Sequence, residues 1–166
     1  MKARNYRSIK GQPYTRKKFI RGSPPPKISK FTMGDSSGNF EYQVSLIADK
    51  DVQVRHNALE AARVAVNRVL SEKLGQSFRL RVLPYPHHVL RENKMIFGAH
   101  ADRLQDGMRG AFGKPIGTAA RVKSDQSIIA VDVNEEGLEV AKEALKRGEA
   151  KLPVTCRVLV RRVNLV

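Results

Sequence analysis

The sequence predicts an α+β fold: a mixed sheet with two main helices, preceded by a basic, extended N-terminal segment. Three observations carry this. Segments of alternating hydrophobicity outnumber segments of helical period, and the two kinds do not follow one another in the regular order of a doubly wound sheet. The length of 166 residues suits one domain and allows a core without covalent staples. The single cysteine, Cys156, excludes an internal disulfide framework and any zinc site that needs two or more cysteines.

The elements follow in order. Residues 1–34 read as an extended segment, because no helical or alternating apolar period appears before Ile28. Ser23-Pro24-Pro25-Pro26 reinforces this, since each proline fixes φ and lacks a donor. Residues 35–166 read as the folded α+β domain. Residues 34–39 are turn-forming, and residues 40–48 are a strand in which Phe40, Tyr42, Val44 and Leu46 alternate with Glu41, Gln43 and Ser45. A long helix is expected over residues 52–74. Leu59, Ala62, Val66, Val69 and Leu70 make its apolar stripe, Arg55, Arg63 and Lys73 fall off it, and Gly75 closes it. Residues 78–83 form the next strand, with Arg79 and Arg81 facing outward. Pro84-Tyr85-Pro86 breaks it, and a short strand resumes at residues 88–90. Two further strands, 121–123 and 127–133, flank a turn at residues 124–126. A second helix covers residues 135–147, with Asn134 as N-cap and Glu135, Glu136, Lys146 and Arg147 matching its dipole; Gly148 stops it. Residues 154–163 form the last strand. Val154, Cys156, Val158 and Val160 share its inward face, where Cys156 is expected to be a small buried hydrophobe.

Between the strands lies a glycine-rich loop, residues 98–117, with five glycines that oppose regular structure. Its Arg103, Arg109 and Lys114 stand among glycines that permit close approach to a phosphate. It is not a nucleotide-binding loop: Met108 occupies the first glycine position of that motif and Pro115 replaces its hydroxyl residue. Asp102 and Asp106 lie beside Arg103 and Arg109, where local ion pairing is the simplest reading.

Charge is unevenly placed. The chain carries +15 overall. Residues 1–34 hold ten Lys or Arg and no acid, residues 79–123 carry a net +6, and the remaining stretches are balanced. A polyanion partner explains such an excess. In the N-terminal segment Tyr6, Tyr14 and Phe19 interleave with Arg4, Arg7, Lys10, Arg16, Lys17, Lys18 and Arg21, a composition that neutralises phosphates and stacks on bases. No catalytic constellation appears. The neighbours His87 and His88 point to opposite faces of a strand, His100 stands alone, and no metalloprotease or nucleophile-elbow motif occurs. No metal or cofactor is therefore expected. The longest aliphatic stretch, residues 128–131, cannot span a membrane. Met1-Lys2-Ala3-Arg4 is followed by no apolar stretch, so cytosolic residence is expected.

The run Pro86-His87-His88-Val89-Leu90-Arg91-Glu92-Asn93-Lys94-Met95 is followed by Ala101-Asp102-Arg103-Leu104-Gln105 and then by Gly107-Met108-Arg109-Gly110-Ala111-Phe112-Gly113-Lys114-Pro115. With Arg4-Asn5-Tyr6-Arg7 and Pro13-Tyr14-Thr15-Arg16 these resemble the archaeal type of a large-subunit ribosomal protein family, L ten e, whose bacterial counterpart is L sixteen. The resemblance covers essentially the whole chain. One departure is His100, where the resemblance leads to the expectation of a small residue, commonly glycine. The resemblance implies an α/β-hammerhead fold and a structural, non-enzymatic role in the large ribosomal subunit. The expected partners are large-subunit rRNA, tRNA and neighbouring ribosomal proteins. The expected rRNA-binding residues are Arg4, Arg7, Lys10, Arg16, Lys17, Lys18, Arg21, Arg79, Arg81, Arg91 and Lys94. Arg103, Gln105, Met108, Arg109, Phe112 and Lys114 would face tRNA. An RNA-processing or RNA-modifying enzyme, and a free-standing RNA-binding regulator, are the alternative readings.

Overall fold

The computed structural model describes residues 1–109 and 112–163; the loop's Gly110 and Ala111, and the side chains of Ala101 and Asp102, lie outside the described residues. Strands β1 (Thr32–Gly34), β2 (Tyr42–Ala48), β4 (Arg79–Val82), β7 (Ser127–Val133) and β8 (Cys156–Arg162) make one sheet, ordered β1-β4-β7-β2-β8. Strands β3 (Val52–Arg55), β5 (His88–Glu92) and β6 (Lys114–Val122) make a smaller sheet, ordered β3-β6-β5. Every described pairing is antiparallel. Helices α1 (His56–Leu74) and α3 (Leu138–Glu149) pack on each other and on one face of the large sheet, and α2 (Ala101–Leu104) is a single turn in the loop. The fold is thus α+β, as its strand-rich, irregular order predicts.

Alternation fills the core. Val44, Leu46, Leu80, Ile129 and Val131 point from the large sheet onto Leu59, Val66 and Leu70 of α1 and onto Ala141, Ala144 and Leu145 of α3. Val52, Val54, Ala120 and Val122 of the small sheet join the same core. Two chain crossings connect the sheets side by side, β2 to β3 and β6 to β7. They are pinned together where the Ser124 backbone N–H donates to Asp51 Oδ1 at 2.7 Å and the Asp125 N–H to the Ala48 carbonyl at 2.8 Å.

Several expectations are corrected. Residues 52–55 are not the start of the long helix but strand β3. Val52 and Val54 face the core from a ladder with Val122 and Ala120, and the strand runs straight into α1, with no capping side chain at Arg55 to mark the change. Arg63, expected off the buried stripe, is buried, because the N-terminal segment covers that flank of α1. Its guanidinium donates to Glu60 Oε2 at 2.8 Å and to Ser29 Oγ at 3.0 Å. The last strand before the 124–126 turn begins at Lys114, not at residue 121. The run Gly117-Thr118-Ala119-Ala120 is rich in small residues, and a Cβ at Gly117 would stand only 3.2 Å from His56 Nε2, so the glycine leaves room for that ring.

Gly148 does not stop the second helix but lies inside α3, where a Cβ would come within 2.5 Å of Val66 Cγ2. Its lack of a side chain lets α3 lie against Val66 of α1. Residues 135–137 form a 3₁₀ turn before α3, and the Asn134 side chain makes no cap. Gly75 does close α1, with φ +61. Cys156, Val158 and Val160 do face inward, opposite Ala48, Leu46 and Val44. On this edge strand, however, the helices cover them only partly: Cys156 is half-buried and Val158 is 38% exposed.

Candidate nucleic-acid interface

The N-terminal segment is laid across the small sheet by its backbone. Gln53, buried on β3, donates from its side-chain amide to the carbonyls of Tyr6 (2.6 Å) and Ser8 (3.1 Å), and its N–H donates to the Arg7 carbonyl at 2.8 Å. Arg121 on β6 donates to the carbonyls of Gly11 (2.8 Å), Gln12 (3.3 Å) and Lys10 (3.4 Å), while Gln53 Oε1 accepts from its Nε at 3.2 Å. Further on, the Tyr14 N–H donates to His88 Nδ1 at 2.9 Å and the Tyr14 carbonyl accepts from Val89 at 2.8 Å. His56 Nδ1 takes the Lys27 N–H at 3.2 Å, and Ile20 and Ile28 are buried. Burial, with the positive charges of Arg121 and Arg91, holds the His88 pKa below the ordinary imidazole value. The ring is therefore neutral near pH 7 and its Nδ1 is free to accept.

Because main-chain groups make these ties, the side chains stay outside. Arg4, Arg7, Lys10, Arg16, Lys17, Lys18 and Arg21 are all exposed, and none pairs with a carboxylate among the described residues. Arg55 lies over the Tyr6 ring at 5.5 Å and Arg91 over the Tyr14 ring at 4.5 Å, so both tyrosines are backed by cations. Phe19 is 72% exposed, with Lys18 Nζ 5.9 Å from its ring centre.

Strands β5 and β6 pair as far as Glu92 opposite Lys114, and the loop leaves from that end of the small sheet. It has internal order: Asn93 Nδ2 donates to the Gly107 carbonyl at 2.9 Å, and Gln105 Nε2 to Asn93 Oδ1 at 2.7 Å. Residues 98–117 are therefore not wholly irregular, since α2 and the start of β6 fall within them. Lys94, Arg103, Met108, Arg109, Phe112 and Lys114 are exposed and Gln105 is half-buried. Large apolar side chains accompany them, with Phe97 and Phe112 almost fully exposed. His100 takes φ +62, the left-handed conformation that glycine adopts without cost.

Arg79 and Arg81 stand apart from these groups, on the large-sheet face away from the helices. Both reach the buried carboxylate of Asp132, at 2.8 and 3.0 Å, and the Gln43 amide donates to the same group at 2.9 Å. One carboxylate shared by two guanidinium groups leaves a net positive face. Arg161 continues that row, opposite Gln43, and is exposed. It was missed in the sequence reading, as were Gln53 and Arg121. Only the register of β8 and the path of the segment give these three residues their roles.

The chain matches the family model of ribosomal protein L16p/L10e over residues 9–159. It is 56% identical to the large ribosomal subunit protein uL16 of Hyperthermus butylicus, across 95% of this chain and 88% of that one. The uL16 proteins of Sulfolobus acidocaldarius (52%, covering 97% and 93%) and Methanococcus maripaludis (50%, covering 95% and 92%) are similar over the same extent. The chain belongs to the L16p/L10e family. The L16p/L10e match spans most of the tied segment, the loop, the small sheet and the large sheet as far as the middle of β8. Arg4, Arg7 and Arg161 lie outside the matched residues. No helix among the described residues is long and apolar enough to cross a membrane.

Proposed function

We propose that the protein is a non-catalytic structural constituent of the large subunit of the cytoplasmic ribosome, where it binds large-subunit rRNA and helps position tRNA. The observation that carries this reading is the division of labour in the N-terminal segment: its backbone is bonded to the small sheet while seven cationic side chains are left outside. Such a surface suits phosphates held at fixed spacing better than a mobile counterion cloud. The names of the relatives, large ribosomal subunit protein uL16, give the polyanion its identity. On this reading Arg4, Arg7, Lys10, Arg16, Lys17, Lys18 and Arg21 contact rRNA. Arg91 and Lys94 do so at the root of the loop, and Arg79 and Arg81 from the large sheet. Arg103, Gln105, Met108, Arg109, Phe112 and Lys114 face tRNA.

Sedimentation of the full chain with large ribosomal subunits tests the first part. Co-migration that is released by high salt is expected, and migration only as free protein overturns it. Subunits reconstituted with Arg109→Ala test the second part. They should incorporate the protein and bind tRNA more weakly. Normal tRNA binding with failed incorporation would assign Arg109 to rRNA instead.

A further inference from the structure

The large sheet ends at β8, and the outer side of that strand pairs with no other strand among the described residues. The ladder with β2 fixes which groups are left over. The Val163 N–H donates to the Glu41 carbonyl at 2.7 Å and the Asp49 N–H to the Thr155 carbonyl at 3.1 Å, so the odd-numbered residues of β8 bond to β2. Cys156, Val158, Val160 and Arg162 therefore turn their backbone groups away from β2, toward the open edge. The Cys156 N–H is already taken there, by Glu149 Oε1 at 2.9 Å. No described residue bonds to the edge from Val158 to Arg162. We infer that this edge takes an extended segment of a neighbouring protein as a further strand, with apolar side chains opposite Val158 and Val160 and a carboxylate opposite Arg162.

The occupant follows from apolar cover, charge and spacing. The side chains of Val158 and Val160 face inward, yet these residues are 38% and 39% exposed, because β8 is the last strand of its layer and the helices cover it only partly. A strand laid alongside extends that layer by about 4.8 Å and covers both valines. Arg161 and Arg162 pair with no carboxylate among the described residues, whereas Arg157, at the other end of β8, is held by Asp49 and Asp125. An acidic residue opposite Arg162 makes a favourable cross-strand pair. Along the edge, each outward-turned residue offers one donor and one acceptor, and such residues recur about every 6.8 Å, the repeat of another strand. Single-stranded RNA brings phosphates to the arginines, but it lacks that repeat and leaves the valines uncovered. A second copy is opposed by charge: antiparallel pairing of two β8 strands about Val160 sets Arg162 against Val158 twice and gathers four arginines. The arginines that ward off a copy thus select an acidic partner.

Such pairing is independent of RNA binding. Amide spectra of the isotope-labelled full chain are recorded with a synthetic peptide in which one Glu and two Val, in that order, alternate with Thr. Three controls accompany it: the same peptide with Lys for Glu, the same peptide N-methylated at Glu and both Val, and a single-stranded RNA homopolymer. The Val158 and Val160 amides should shift saturably with the Glu peptide and gain protection from exchange. The Lys peptide should bind severalfold more weakly. The N-methylated peptide, which has lost the donors that face β8, and the RNA should leave both amides unmoved. Arg162→Glu, a change at an exposed side chain, should invert the order of the Glu and Lys peptides. No shift with either unmethylated peptide, equal shifts with the N-methylated peptide or the RNA, or an unchanged order in the variant would each overturn the inference. Shifts that grow with protein concentration alone, together with a dimer in sedimentation velocity, would overturn it in favour of a second copy. Co-migration with large ribosomal subunits tests the rRNA reading separately, so the failure of either leaves the other standing.

Discussion

The thiol of Cys156 shows how position sets chemistry. Desolvation, followed by the negative charges of Glu149 and Asp49, pushes its pKa up to about 12. Its N–H is held by Glu149 Oε1 at 2.9 Å, so the acid that disfavours the thiolate also fixes the strand that carries it. A thiol that exists almost wholly protonated is a poor nucleophile. Alkylation near pH 8.5 should therefore run roughly 10²–10³ times more slowly in the folded protein than in denaturant, as the thiolate fraction dictates. Equal rates, followed by mass spectrometry, would show that the environment exerts no such effect. The sign for stability follows. The folded pKa is raised, so this contribution is complete below the unfolded thiol's value, about 8.5, and is lost as pH climbs toward 12. Asp132 is a second case in which a partner decides a role. From the sequence Arg79 and Arg81 face outward, which they do. That a buried carboxylate one strand away would hold both required the register of β4 on β7.

Strand β1 depends on a single glycine. Gly34 has φ +83, and a Cβ there would lie 2.0 Å from the Phe78 carbonyl oxygen, the acceptor for the Asp35 N–H. Gly34→Ala combines backbone strain with a clash against main chain that cannot move aside. It should lower stability by at least about 2 kcal/mol, read by urea denaturation, and a change under about 0.5 kcal/mol would contradict the geometry. The elements that the sequence reveals are those with one clean period: β2 and β7, the apolar stripe of α1, and the amphipathic α3. The elements it conceals share a physical cause. β3 fuses with α1 without a cap, β6 is built of small residues whose pattern is faint, and Gly148 punctuates the sequence but serves helix packing. The candidate site divides the same way. Its cations are visible in composition, whereas Gln53, Arg121 and His88, which fix where the cations lie, have partners more than forty residues away in the chain.

Charge is segregated in space as well as along the chain. The N-terminal segment and the loop, which carry most of the excess, are both attached to the small sheet, while α3 pairs its own charges through Lys142–Glu139 and Arg147–Glu143. Binding to large-subunit rRNA should therefore be steeply salt-dependent. If 6–10 cations reach phosphates, affinity should fall by about 10³–10⁵ between 50 and 200 mM salt. Replacing Arg16, Lys17 and Lys18 by serine should flatten the slope by roughly three counterions in a filter-binding series, and an unchanged slope would remove these residues from the interface. Substitution is a better probe than deletion here, because removing the segment would also take Ile20, Ile28 and β1 out of the fold.

The distance in sequence between the segment and its anchors also governs the order of folding. Arg121 closes on Gly11 across 110 positions, and His88 on Tyr14 across 74. During synthesis the ten cations of residues 1–34 emerge first, yet the ties of His88, Val89 and Arg121 that seat residues 10–14 cannot form until β5 and β6 have been made. Loops of that length close late, after local contacts have formed. A newly made chain thus passes through a stage in which its most adhesive stretch is loose while α1 and the early strands are already taking shape. In refolding, protection of the Gln53 and Val89 amides should be among the last to appear.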